Sequence, residues 1–214
     1  MSATPPAFPD GLAEFCRMRQ GARFAPVIDL HGFALDLAKA SACFGYGAMV
    51  HLRAMGVPVE FANRLLMQFD LARAKVSVAA SGLFEWDGAE AHLLIGVREF
   101  GELVDVVAVR SAAPDEWSML RGDGWVLGHD ALFEAKEGLS DLLRVFGTPF
   151  DWLRSSGEGI CVLDWTAHAL AELRGLGPSV TLQCDDHRAA QRLGAVLAWQ
   201  GLPRVEAVSR RKAA

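Results

Sequence analysis

Several acidic and imidazole side chains follow two short apolar runs in the last quarter of the chain. Asp164 comes straight after Ile160–Leu163, and Asp185, Asp186 and His187 come straight after Ser179–Cys184. If both runs are neighbouring parallel strands, these residues leave the sheet at its carboxyl edge, where open α/β sheets bind ligands. Two carboxylates there, with His187 and His168 a turn further on, could hold Mg²⁺. That ion takes oxygen donors and often needs only one or two carboxylates besides water and substrate phosphates. Asp164, His168 and Glu172 also fall four residues apart, on one helix face. Such a face could polarise a water or bind a cation, so His168 and Glu172 are candidate ligand-binding residues.

A second reading competes for the same residues. Asp164 and Asp186 each stand just before a helical pattern. A carboxylate in that place accepts backbone N–H bonds from the first helical turn and stabilises the helix by about 1 kcal/mol. Asp185 and Asp186 are adjacent and so point in different directions. Capping is therefore preferred to a metal site. The Asp164, His168, Glu172 stripe is read as a solvated face with i,i+4 pairing. No HExxH, GxSxG, GxxxxGK or GxGxxG motif occurs. The zincin, hydrolase, P-loop and dinucleotide fingerprints are thus missing, and no catalytic residue is assigned. The expectation is no cofactor, with Mg²⁺ as the alternative.

The elements that would position these residues fall into three parts. Residues 1–10 are Pro-rich and expected to be a loose tail. Residues 11–76 read as helical: Gly11–Gln20, a helix capped by Asp29 with Leu30, Phe33, Ala34 and Leu37 on one face, Ala48–Met55, and Val59–Lys75 opened by Pro58. From Ser77 to Gly128 the pattern is that of an antiparallel meander. Its strands are Ser77–Trp86, Ala91–Val97 and Leu103–Val109, followed by a hairpin turning at Asp123-Gly124 with Trp117 and Trp125 as cross-strand partners. Then come a helix over 131–146, a strand at Ile160–Leu163, a helix at Trp165–Arg174, a strand at Ser179–Cys184, a helix at His187–Gln200 and a strand at Arg204–Val208. The expected class is α+β, with a helical N-terminal part, a central meander and a C-terminal β-α-β-α-β layer. Residues 77–209 form the α+β domain and 210–214 a basic tail.

Charge narrows the partners. The 214 residues carry a formal charge of −5, with no broad basic footprint for nucleic acid. Residues 48–75 have the length of a helix–turn–helix, and Asn63, Arg64 and Gln68 could face DNA. Glu60, Asp70 and the apolar content favour a packed helical pair. The four cysteines, Cys16, Cys43, Cys161 and Cys184, form no CxxC pair. Scattered thiols, no secretory leader and no apolar run of the roughly 20 residues needed to span a bilayer suggest a cytoplasmic protein with no membrane partner. The six tryptophans are read as core packing, since no Lys/Arg interleaving accompanies them.

Two resemblances add to this. "CDDHRAA" is similar to the acidic segment of toprim domains, which implies a Mg²⁺-dependent nucleotide- or nucleic-acid-processing domain. The chain departs from that pattern in having adjacent aspartates and in placing Glu158 before its strand. "DVVAVRSAAPDEWSMLRGDGWVLG", "TPFDWLRSSGEGICVLDW" and "LPRVEAV", together spanning residues 103–208, resemble an uncharacterised group of proteins from proteobacterial and prophage-type genomes. That resemblance implies a bacterial or phage setting and no activity. The expected function is a non-catalytic accessory or interaction protein with a protein partner. A metal-dependent enzyme and a DNA-binding regulator are the alternatives.

Overall fold

The computed structural model describes residues 30–110, 112–197 and 204–207. The helix expected over 11–20, the Asp29 cap, Trp199 and the basic tail lie outside them. The chain divides into two compact units, 1–33 and 34–214. The second unit holds both sheets and every helix after Ala42. Seven helices and two sheets are present among the described residues, which makes the protein mixed α+β.

Three helices open the described chain: α1 (Leu30–Ala42), α2 (Tyr46–Ala54) and α3 (Val59–Met67). The first sheet contains β1 (Leu71–Val78), β2 (Phe84–Trp86), β3 (Glu90–Glu99), β4 (Glu102–Arg110) and β5 (Ala113–Met119). It is antiparallel throughout, in the order β2-β1-β3-β4-β5. The second sheet is built from β6 (Val126–Leu127), α4 (His129–Lys136), β7 (Leu142–Phe146), α5 (Pro149–Arg154), β8 (Ile160–Val162), α6 (Ala167–Arg174), β9 (Thr181–Cys184), α7 (His187–Val196) and β10 (Arg204–Ala207). Its order is β10-β9-β7-β8-β6, with the first four strands parallel and β6 antiparallel at the edge.

Three expectations about these elements need correction. The helix expected over 59–75 stops at Met67, and residues 71–75 belong to β1. Leu71 and Ala72 pair with Ile95 and Leu94 of β3, so tertiary pairing overrides a run whose apolar spacing suits a helix. The helix expected over 131–146 ends at Lys136, and Leu142–Phe146 is β7. This strand lies in the middle of a parallel sheet with Leu143, Val145 and Phe146 buried. Leu142 and Arg144 are exposed, but Leu142, Leu143 and Phe146 continue the helical spacing of Leu132, Ala135 and Leu139, so the short strand reads as an extension of the helix before it. The C-terminal part therefore has one more β-α unit than expected, closed by α5, whose Thr148 cap and Pro149 are ordinary start signals. The hairpin at Asp123-Gly124 is absent. β5 belongs to the first sheet and β6 to the second, so Trp117 and Trp125 are not cross-strand partners.

Two apolar clusters hold these elements. One joins the first sheet (Leu93, Ile95, Val97, Val107, Val109) to Phe61 and Leu65 of α3, Phe150 and Leu153 of α5, and one face of the second sheet through Leu127, Cys161 and Leu163. The other lies on the opposite face of the second sheet, where Val145, Ile160, Val162 and Leu182 meet Leu132, Leu173 and Leu193 of α4, α6 and α7. The second sheet is thus covered on both faces, as parallel sheets require. Trp117 joins the first sheet to the second by donating from Nε1 to the Leu163 carbonyl at 3.2 Å.

The segment between the sheets is organised by one carboxylate. Asp105, on β4, is fully buried. Its Oδ1 accepts from the amides of Val106 (2.7 Å) and Arg121 (3.0 Å), and its Oδ2 from those of Asp123 (2.8 Å) and Gly124 (3.2 Å). Residues 121–124, "RGDG", are therefore wrapped round a buried anion. Burial raises the Asp105 pKa above its ordinary 3.8, and the four N–H bonds pull it back only in part.

Removing that acceptor leaves buried amides unpaired, at roughly 1–3 kcal/mol each before relaxation. We expect Asp105→Ala to lose at least about 3 kcal/mol in urea denaturation. The pH dependence has a defined sign. Between pH 3.8 and the raised folded value, the folded state holds a proton that the unfolded state has released. The contribution of Asp105 to stability therefore falls as pH rises through that window and is constant above it. Asp105→Asn should lack this slope when the two pH profiles are subtracted.

Candidate functional site

The carboxyl ends of β7, β8 and β9 are where the sequence places its chemistry. The chain leaves β7 through α5 towards β8, and leaves β9 through α7 towards β10 on the other side. The gap between β7 and β9 is thus the point of strand-order reversal at which doubly wound sheets hold ligands. Here the protein's own side chains occupy it. Asp185 Oδ1 accepts from the Gly147 amide at 3.0 Å, and the Asp185 amide donates to the Val145 carbonyl at 3.3 Å. Asp186 caps α7, accepting from the amides of Arg188 at 3.1 Å and Ala189 at 3.3 Å. Thr148 caps α5 by accepting from the Asp151 amide at 3.1 Å. Capping is the role found for Asp186.

The remaining candidates are dispersed. β7 lies between β8 and β9, so the two acidic strand ends are not adjacent, contrary to expectation. Two strand spacings separate them, about 10 Å, whereas carboxylate ligands of one Mg²⁺ each sit about 2.1 Å from it. Asp164 is exposed and caps no helix; Thr166 caps α6 instead, accepting from the Ala169 amide at 3.3 Å. The stripe Asp164, His168, Glu172 is not a solvated face either. Glu172 forms an ion pair with Lys136 of α4, and the His168 ring packs edge-on against Trp125 at 5.6 Å. His187 is exposed, with Nε2 3.2 Å from Gln191 Nε2. Among the described residues, no group of three or more His, Cys, Asp or Glu side chains is placed to hold a metal.

Cys161 and Cys184 sit beneath this edge. Burial, reinforced by the negative charge of Asp185, pushes both thiols up, Cys184 to about 12. Neither is a thiolate at neutral pH, so neither is an available nucleophile.

The helix pair α2–α3 is a packed hairpin that buries Phe61, Ala62 and Leu65. Asn63 and Gln68 are exposed, but Arg64 stacks on the Phe61 ring and donates to the Ser156 carbonyl at 3.2 Å. An open depression of about 790 Å³ lies on the first sheet's other face, lined in part by Val76, His92 and Ser118. Its central cation, Arg110, is already paired with Glu90 (3.1 Å) and Glu116 (3.4 Å).

The feature that periodicity does not reveal is a pair of aromatic side chains at strained turns. α3 ends in a Schellman arrangement, with the Asp70 amide on the Leu65 carbonyl (2.8 Å) and the Phe69 amide on the Leu66 carbonyl (3.1 Å). The residue after the C-cap must then be left-handed. At the same position after α2 and α4 stand Gly56 and Gly138; after α3 stands Phe69, with φ 58°. The β3–β4 hairpin turns on Phe100 and Gly101, with φ 51° and 80°. A two-residue turn with two positive φ values normally takes Asn-Gly.

Both phenylalanines are half-exposed, at 53% and 46%. One side chain ties the two turns together. Arg98 donates from Nε to Asp70 Oδ2 (2.6 Å), and from its two terminal nitrogens to the carbonyls of Gly101 (2.7 Å) and Gln68 (3.4 Å). Asp70 is buried, and Gly96 leaves it room: a Cβ there would lie 2.7 Å from Asp70 Oδ1. The signal in the sequence was an absence, since "MQFDL" has no glycine where α3 stops.

We expect Asp186→Ala to lose about 1 kcal/mol in chemical denaturation and Asp186→Asn to be nearly silent, because Asn caps as well as Asp. Equal damage from both would show that the charge itself matters. Millimolar Mn²⁺ should leave the thermal midpoint unchanged in wild type and in Asp185→Asn. A rise in wild type that vanishes in the variant would reveal a divalent-ion site. No protein-family model, curated protein or solved structure compared with the chain matches it.

Proposed function

We propose that the protein is a non-catalytic interaction protein, in the bacterial or mobile-element setting that the resemblance of residues 103–208 implies, and that it meets a protein partner through the aromatic surface around Phe69 and Phe100. One observation carries this reading. Two positions whose backbone favours Gly or Asn hold Phe instead, and both side chains remain about half exposed. A bulky residue in the left-handed region costs roughly 1–2 kcal/mol. Neither ring recovers that cost through full burial, and strain retained at an exposed aromatic is a mark of a binding surface.

The acidic residues at the second sheet's carboxyl edge support the same reading from the other side. Asp185 and Asp186 accept bonds from the protein's own amides. No described helix is long and apolar enough to cross a membrane.

The test is whether the fold needs the aromatic. If Phe69 serves a surface role, Phe69→Gly relieves left-handed strain while losing partial burial, and we expect a stability within about 1 kcal/mol of wild type in urea titration. A loss of about 3 kcal/mol or more, the range of a buried large-to-small change, would make Phe69 a packing residue and overturn the reading.

A further inference from the structure

We infer that the partner of this surface is a basic, apolar protein segment, seated over Phe100 and Phe133; this rests on the interaction reading above. Phe100 packs against α4, its ring 4.4 Å from His129 and 5.9 Å from Phe133. Phe133 is itself 39% exposed. On α4 the residues His129, Leu132 and Ala135 are buried. Asp130, Phe133, Glu134 and Glu137 stand at i, i+3, i+4 and i+7 on the outward side, all exposed. None of the three carboxylates has an ion pair among the described residues. Lys136, the one lysine of α4, is turned to Glu172 on α6. The two aromatic rings therefore lie beside carboxylates that no described residue pairs.

That combination selects its occupant. A Lys or Arg side chain has an apolar stem that covers an aromatic ring and a cationic head that reaches a flanking carboxylate. Nucleic acid and anionic membrane are repelled by the same carboxylates. A second copy of the chain, docked face to face, would set these acids against themselves, because a two-fold interface brings identical patches together. A cationic segment with apolar residues at helical spacing satisfies both halves of the surface.

Three labelled synthetic peptides test this by fluorescence anisotropy, each about 14 residues long so that it can form helix on binding. One is an amphipathic Lys/Leu helix, one its Glu/Leu counterpart, and one a Lys/Ser peptide without leucine. The Lys/Leu peptide should bind wild type, weaken as salt rises from roughly 50 to 300 mM, and outbind both others. Phe133→Ser should weaken it about tenfold, as loss of an interface anchor does. The exposed double variant Glu134→Gln/Glu137→Gln, whose fold is not at stake, should weaken it several-fold and flatten the salt dependence. Equal affinity of wild type and both variants overturns the inference. So does a dimer in sedimentation velocity that Phe133→Ser dissociates. Tight binding of the Glu/Leu peptide that Phe133→Ser abolishes overturns the cationic partner while leaving the interaction reading standing. The interaction reading itself fails if Phe69→Gly loses about 3 kcal/mol or more in urea titration.

Discussion

The fold turns on a single buried carboxylate. An antiparallel sheet and a mostly parallel sheet share one apolar cluster, yet they are joined in sequence only by the segment from Met119 to Val126. A connection running into a core must pair its amides or lose much of the stability gained by burial. Asp105 does this for three residues of the connection at once, Arg121, Asp123 and Gly124, while also accepting from its neighbour Val106 in β4. Two sheets with different strand directions can then share one core without a continuous hydrogen-bonded ladder between them. An ionised group in that position carries a desolvation cost, and four converging N–H dipoles offset part of it.

A second buried acid works in the opposite sense. Asp70 accepts from Arg98, whose other donors reach the carbonyls of two turns, one closing α3 and one closing the β3–β4 hairpin. Asp105 holds amides with an anion; Arg98 holds carbonyls with a cation. Both turns contain a left-handed phenylalanine. The brace explains how such residues persist: the turns are over-determined by hydrogen bonds that do not depend on the side chains they carry. The fold thereby keeps two aromatic rings half-exposed, of which Phe100 lies against α4.

The carboxyl edge of the second sheet has the topology of a ligand site, and at its switch point between β7 and β9 the polar groups are already engaged. The reversal between β7 and β9 opens a gap, and Asp185 fills it by binding the Gly147 amide. Asp186 is committed to α7 and Thr148 to α5. A topological switch point does not by itself make a site, because chemistry depends on which side chains remain available at the edge.

Much was legible in the sequence, and the failures share a cause. The class, the antiparallel character of β3 and β4, the strand at Ile160–Val162, the Asp186 cap and the start of α7 all follow from local signals: alternation, turn residues and capping geometry. Their physics lies within a few residues of chain. What the tertiary structure decided was which strand lies beside which. Leu142–Phe146 reads as helix because Leu142, Leu143 and Phe146 continue the helical spacing of Leu132, Ala135 and Leu139, and its insertion between β8 and β9 parts Asp164 from Asp185. Leu71–Lys75 reads as helix until β3 pairs with it. Asp105 reads as one polar residue in an apolar strand, and nothing local says that four amides from residues 106 to 124 converge on it. Phe69 stands at helical spacing with Phe61 and Leu65 and so reads as one more core-facing helix position, whereas the helix stops at Met67 and leaves Phe69 half-exposed; Phe100 stands only before a turn glycine. Their importance rests on backbone dihedrals and solvent exposure, which exist only once the chain has closed around Arg98.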